Sequence, residues 1–242
     1  MKNYLKQFQK YEKELAAIAE ELSTLPMGHL GIKATTLYHI VGENHISITK
    51  DQQLITQLAR KKYLQLRKKQ LLNNLNPKKP FDTRSATELI ASMATAYQKI
   101  PTQYFFHPSV QVWLNKKHKQ NSINPDQAKF TLGVISFRSL AERTIAETLN
   151  HYNMPYKYDT VVDLVDGKIS PDFIIKNPFN GNTYIWEHFG AFNQEHYADS
   201  MNNKLDRYEK SGFISNDNLI VSFEHHIRDT KRIHRLIEEI IL

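Results

Sequence analysis

A mixed α/β fold is what the second half of this 242-residue chain predicts, and three observations carry the prediction. The hydrophobic pattern changes from helical to alternating spacing after about residue 126. Runs rich in β-branched and aromatic residues fall at 156–165, 173–176 and 183–189, after a helix expected over 140–152. A helix over 195–211, a strand over 218–223 and a final helix complete the order helix, three strands, helix, strand, helix. That order belongs to a mixed sheet covered by helices.

The first half reads as mostly helical. Tyr4, Phe8, Tyr11, Leu15, Ile18 and Leu22 recur every three or four residues. Such a seam packs within its own domain or pairs with a second copy in a homodimer. Pro26 and Gly28 end that helix. Residues 35–41, the turn 42–44 and residues 45–48 make a β-hairpin. A long basic helix over 52–75 breaks at Asn76-Pro77, and a shorter one over 86–99 stops before Pro101. The domains are therefore drawn as a basic, mostly helical region 1–125 and a mixed α/β domain 126–242.

Composition narrows the class. With 40% hydrophobic and 11% aromatic residues the chain can bury a core. It contains no cysteine, which excludes disulfides, a thiolate nucleophile and cysteine-ligated zinc, and fits a reducing cytoplasm. No apolar run has the length of a membrane span, and Met1-Lys2-Asn3-Tyr4 leads into polar sequence, so no membrane partner is expected. A glycine-rich phosphate loop and a nucleophile elbow are both missing, and His225, His226 and His234 match no recurring zinc spacing.

The charge is uneven. Residues 1–120 carry 19 Lys and Arg against 8 Asp and Glu, whereas residues 121–242 carry 13 against 17. The densest blocks are Arg60-Lys61-Lys62, Arg67-Lys68-Lys69 and Lys78-Lys79. Blocks of this kind attract polyanions by releasing condensed counterions, and otherwise form a solvated helix face. The first two are the candidate nucleic-acid contacts.

Three acids stand where an ordinary core would not keep them. Alternation places Ile185, Glu187 and Phe189 on one face of a strand whose other face holds Tyr184, Trp186 and His188. Both faces are apolar, so an ionised Glu187 needs a compensating charge. Asp172 opens the neighbouring apolar run after Pro171. Glu142 shares a helical stripe with Ile145 and Leu149, and Ser139-Leu140-Ala141-Glu142 also matches a capping box. A hard divalent cation between the two strand acids is the economical compensation.

Pro171-Asp172, the turn, Glu187 on the next strand and Glu142 on the preceding helix resemble the PD-(D/E)XK nuclease superfamily over roughly residues 130–225. The resemblance includes Glu187-His188-Phe189-Gly190, similar to an acid-His-x-Gly motif of a bacterial and phage branch, and the later Tyr197, Lys204, Tyr208 and Gly212. It implies a restriction-endonuclease-like core. It further implies a nuclease using Mg2+ or Mn2+, with Glu142, Asp172 and Glu187 as metal ligands and DNA ahead of RNA as substrate. The family lysine belongs where Phe189 stands. Lys204, on the following helix, takes its role in this reading, with His188 as the alternative. If neither reaches the site, the resemblance implies a nucleic-acid-binding protein that does not cut, and the seam from Tyr4 to Leu22 leaves an oligomeric interaction protein as a further alternative.

Overall fold

A computed structural model describes residues 2–119, 129–190 and 195–241, with side chains from residue 7 in the first segment and from residue 198 in the last. The chain folds as two compact units, Met1–Phe106 and His107–Leu242. The position of the expected 125/126 boundary and the side chains of Tyr4 and Tyr197 lie outside the described residues. Among those described, no helix is long and apolar enough to cross a membrane.

The first unit begins with α1 (Lys2–Thr24) and a three-stranded antiparallel sheet of β1 (His29–Lys33), β2 (Thr36–Val41) and β3 (Asn44–Ser47). Helices α2 (Gln52–Asn74), α3 (Ala86–Ala91) and α4 (Thr95–Gln98) follow. Asp51 caps α2 by accepting from the Leu54 amide at 3.0 Å. The expected hairpin is β2–β3. Its partner β1 escaped the sequence reading because Gly28 and Gly31 look like breakers. At Gly31 a Cβ would stand 2.4 Å from the Ile40 side chain across the ladder, so glycine is what lets this strand pair. The α1 seam packs inside the unit: Ile18 is buried, and Phe8, Tyr11, Leu15 and Leu22 are half-buried.

The second unit carries α5 (Pro108–Asn115), which the sequence did not suggest, and a hairpin of β4 (Phe130–Leu132) and β5 (Ile135–Phe137). Next come α6 (Leu140–His151), β6 (Tyr156–Tyr158) and a small hairpin of β7 (Val162–Leu164) and β8 (Gly167–Ile169). Then follow β9 (Phe173–Lys176), β10 (Thr183–Phe189), α7 (Glu195–Lys210) and β11 (Leu219–Phe223). Helices α8 (Glu224–Ile227) and α9 (Thr230–Leu236) end in a π-helical turn, Ile237–Ile241. The expected strand 156–165 is interrupted at Asp159, whose φ of +48° turns the backbone out of the sheet.

The main sheet has the order β11-β10-β9-β6, with β10 and β11 parallel and the other neighbours antiparallel. One face carries Phe173, Ile175, Tyr184 and Trp186 against Ile145 and Leu149 of α6 and Ile233 of α9. On the other, Ile185 and Leu219 pack with Tyr208 of α7. The fold is thus mixed α/β, with the central strand β10 covered on both sides.

Candidate active site

Register creates the site. Asn177 closes the β9–β10 turn, its Oδ1 accepting from the amides of Phe179 at 2.8 Å and Asn180 at 3.0 Å. Trp186 then pairs with Phe173, and one step further along the ladder Asp172 stands opposite Glu187. On the other side of β9, Tyr158 pairs with Phe173, which brings Asp159 opposite Asp172. The Asp159 amide donates to the Asp172 carbonyl at 3.0 Å, continuing the ladder by that step. Asp159, Asp172 and Glu187 therefore form a row across three neighbouring strands, and all three are buried. Like charges directly opposite one another repel, more so where water is excluded.

Two cations face that row. From α7, Lys204 Nζ lies 2.5 Å from Glu187 Oε2, and the Tyr208 hydroxyl donates to Glu187 Oε1. From the residue before the α6 cap, Arg138 Nη2 stands 3.5 Å from Asp159 Oδ1 and 3.5 Å from Asp172 Oδ1. The His188 amide donates to Asp172 Oδ2 at 2.7 Å. Burial, then the charge of Glu187, holds the Asp172 carboxyl well above the usual carboxylate range. Burial also raises Glu187, against the pull of Lys204 and Tyr208. The Tyr208 hydroxyl is raised too, by burial and by the Glu187 charge.

Glu142 completes the acid set from α6, and it also does what its local motif dictates. Its Oε2 accepts from the amides of Arg138 at 3.0 Å and Ser139 at 3.1 Å and from the Tyr158 hydroxyl at 2.7 Å. The Ser139 hydroxyl in turn accepts from the Glu142 amide, so the capping box is complete. Among the described residues Glu142 Oε1 has no hydrogen-bond donor. Glu142 nonetheless feels the row, since its charge adds to the upward shift of Asp172.

The two substitutes considered for the family lysine separate cleanly. Lys204 reaches Glu187. His188 turns to the opposite face, where Trp186 Nε1 donates to Ser222 Oγ at 2.8 Å and that hydroxyl lies 3.0 Å from His188 Nδ1. The Ser222 hydroxyl joins the Trp186 indole to the His188 ring on the face away from the acids. His188 thus serves the acid side through its amide alone. Phe189 is buried against Phe223 with ring centroids 6.1 Å apart, so packing explains an aromatic at that position.

No family model matches the chain, and no curated protein or solved structure does. Among the described residues, no group of three or more His, Asp or Glu side chains is arranged to hold a metal ion. A smaller donor set does suit a hard cation: Asp172 and Glu187 are adjacent, anionic when deprotonated, and raised in pKa first by burial. Mg2+ is commonly held by one or two carboxylates plus waters and phosphate oxygens.

Sequence reasoning passed over Asp159 and Arg138. Asp159 was hidden inside a run read as continuous strand, where an acid between Tyr158 and Thr160 was the available signal. The basic blocks of α2 also divide. Arg60 is buried, donating to Glu21 at 2.7 and 2.8 Å and to the Phe105 carbonyl at 3.1 Å. Arg67 donates to Glu14 at 2.7 and 3.0 Å, and Lys61 Nζ to the Pro26 carbonyl at 2.7 Å. These three hold α1 and its exit against α2. Lys69 is exposed and Lys62 and Lys68 half-exposed, which leaves them as the surface charge of these two blocks.

Proposed function

We propose that the second unit is a metal-dependent nuclease of the PD-(D/E)XK type, hydrolysing phosphodiester bonds, with DNA as the preferred substrate. The observation that carries the reading is a charge imbalance. Among the described residues, four carboxylates, Glu142, Asp159, Asp172 and Glu187, face two cations, Arg138 and Lys204, so in the fully ionised state the acids outnumber the cations by two. One divalent cation supplies that difference. The order of the sheet supports the same reading: a helix, three antiparallel strands, a helical crossover and a parallel fourth strand put the acids at one end of β9 and β10.

In this reading Asp172 and Glu187 hold the ion, and Glu142 strengthens the local field from α6. The ion, when bound, stabilises charge developing on the phosphodiester and makes an attacking water more acidic. Lys204 is placed to orient that water or to screen the phosphate, because it already sits on Glu187. Tyr208 fixes the Glu187 carboxylate from below. A further contribution comes from the buried aromatic packing of β10, which keeps the carboxylate pair in register.

Purified protein with plasmid DNA and Mg2+ is expected to nick or linearise it. EDTA is expected to stop cleavage, and Glu187→Gln to reduce the rate at least about 1000-fold while the protein stays folded. Cleavage that persists in both Asp172→Asn and Glu187→Gln would sink the proposal. One feature favours a second reading, a protein that holds nucleic acid without cutting it: both oxygens of Glu187 are already engaged, by Lys204 and Tyr208. Salt-sensitive binding with no cleavage under any divalent metal would select it.

A further inference from the structure

The molecule contains two ways of holding an arginine. Arg60 and Arg67 each grip one carboxylate with two nitrogens, at 2.7–2.8 Å and 2.7–3.0 Å. Those are the lengths of charge-assisted, forked bonds. Arg138 differs. A single nitrogen, Nη2, lies 3.5 Å from each of two carboxylates, too long for a tight ion pair. Among the described residues its Nε and Nη1 have no hydrogen-bond acceptor. The side chain keeps 27% of its surface exposed.

Its root, by contrast, is rigid. The Arg138 amide donates to Glu142 Oε2 and to the Tyr158 hydroxyl, both at 3.0 Å. The guanidinium carbon lies 6.0 Å from the centroid of the Tyr158 ring. Asp159, in its left-handed backbone conformation, turns a buried carboxylate toward the guanidinium. A non-glycine residue in that conformation stores strain, which is often found at functional sites. The chain therefore anchors the backbone of Arg138 beside the acid row while leaving most of the guanidinium donors unengaged.

We infer that Arg138 is a phosphate-binding residue, positioned by Asp159, that grips the nucleic-acid backbone at the end of the acid row away from Lys204. Arg138 faces Asp159 and Asp172 while Lys204 faces Glu187, so the two cations act on different parts of the row. The guanidinium fork matches phosphate oxygens: Nη2, held only at 3.5 Å by the two carboxylates, pairs with the unengaged Nε or Nη1 to provide it. An acid row flanked by two cations admits a polyanion that the acids alone would repel. The inference rests on the nuclease reading for the identity of its ligand, and it adds a substrate contact which the family resemblance does not assign.

The test is fluorescence anisotropy of a labelled 20-base-pair DNA duplex in EDTA, between 50 and 200 mM NaCl, alongside plasmid cleavage with Mg2+. Arg138→Ala is expected to weaken binding about tenfold and to lower the slope of log affinity against log salt by about one. The double variant Arg138→Gln with Asp159→Asn removes one cation and one anion, leaving the net charge and the balance of the row unchanged. It guards against misfolding of the single variant, and the same loss of slope is expected of it. A merely structural arginine predicts an unchanged slope there. Wild-type protein that binds and cuts, with a folded double variant of equal affinity and slope, overturns the inference and leaves the nuclease reading standing. Wild-type protein that neither binds nor cuts overturns both.

Discussion

The helical unit and the sheet unit use cations in opposite ways. Along α1 and α2, Glu14 meets Arg67 and Glu21 meets Arg60, seven residues apart on each helix and running in opposite directions. Each guanidinium has one carboxylate, and the charge closes locally. At the end of β9 and β10 four acids share Lys204 and Arg138. Balanced pairs of this kind glue helices together. Unbalanced ones raise pKa values and attract whatever restores neutrality, which is why perturbed carboxyls concentrate where chemistry is done.

The contrast can be broken most forcefully at Lys204. Lys204→Met leaves Glu187, 1% exposed, without its cation, and is expected to destabilise the metal-free protein by about 3 kcal/mol in urea unfolding. Adding Glu187→Gln to it should recover most of the loss. A single variant as stable as wild type would mean that the pair carries no buried charge. Arg60→Met comes next. It orphans Glu21, which is 19% exposed, and should cost about 2 kcal/mol while leaving DNA affinity and its salt slope unchanged. A drop in DNA affinity with unaltered stability would return Arg60 to the binding surface.

The smallest effect expected is that of pH. Asp172 and Glu187 are raised in the folded state, so between the ordinary carboxylate range and their raised values the folded protein binds more protons than the unfolded chain. Their contribution is fully present below the ordinary range and is lost as pH rises through the raised values. Measured against Glu187→Gln, the urea midpoint of metal-free wild-type protein should therefore fall as pH rises above the ordinary carboxylate range. Mg2+ competes with those protons and should raise the midpoint more at pH 8 than at pH 6. A wild-type midpoint that holds or climbs against that of Glu187→Gln would remove the site from the account.

Much of the sheet was legible from local pattern. The runs 173–176 and 183–189 coincide with β9 and β10, because a strand buried on both faces announces itself by unbroken apolar and aromatic residues. Glu142 was legible as a capping residue, and the cap is formed. Arg138 and Asp159 were not legible, since their meeting depends on how the start of α6 packs on β6, and the place of Asp159 beside Asp172 depends on the register of β6 against β9. Nor could sign of charge alone reveal that Arg60 and Arg67 have carboxylate partners 39 and 53 residues away. A lysine-arginine block looks the same in sequence whether it faces solvent or a neighbouring helix.

Helix α7 has a consequence for timing. It is the crossover between the parallel strands β10 and β11, a connection no tight turn can replace, and it carries Lys204 and Tyr208. A newly made chain can form the β6–β9–β10 meander and align its acids before α7 and β11 have emerged. Arg138 precedes the meander, but the counter-charge of Lys204 arrives only with the crossover, so lesions at the β11 edge that loosen α7 should silence the protein as surely as removing the lysine.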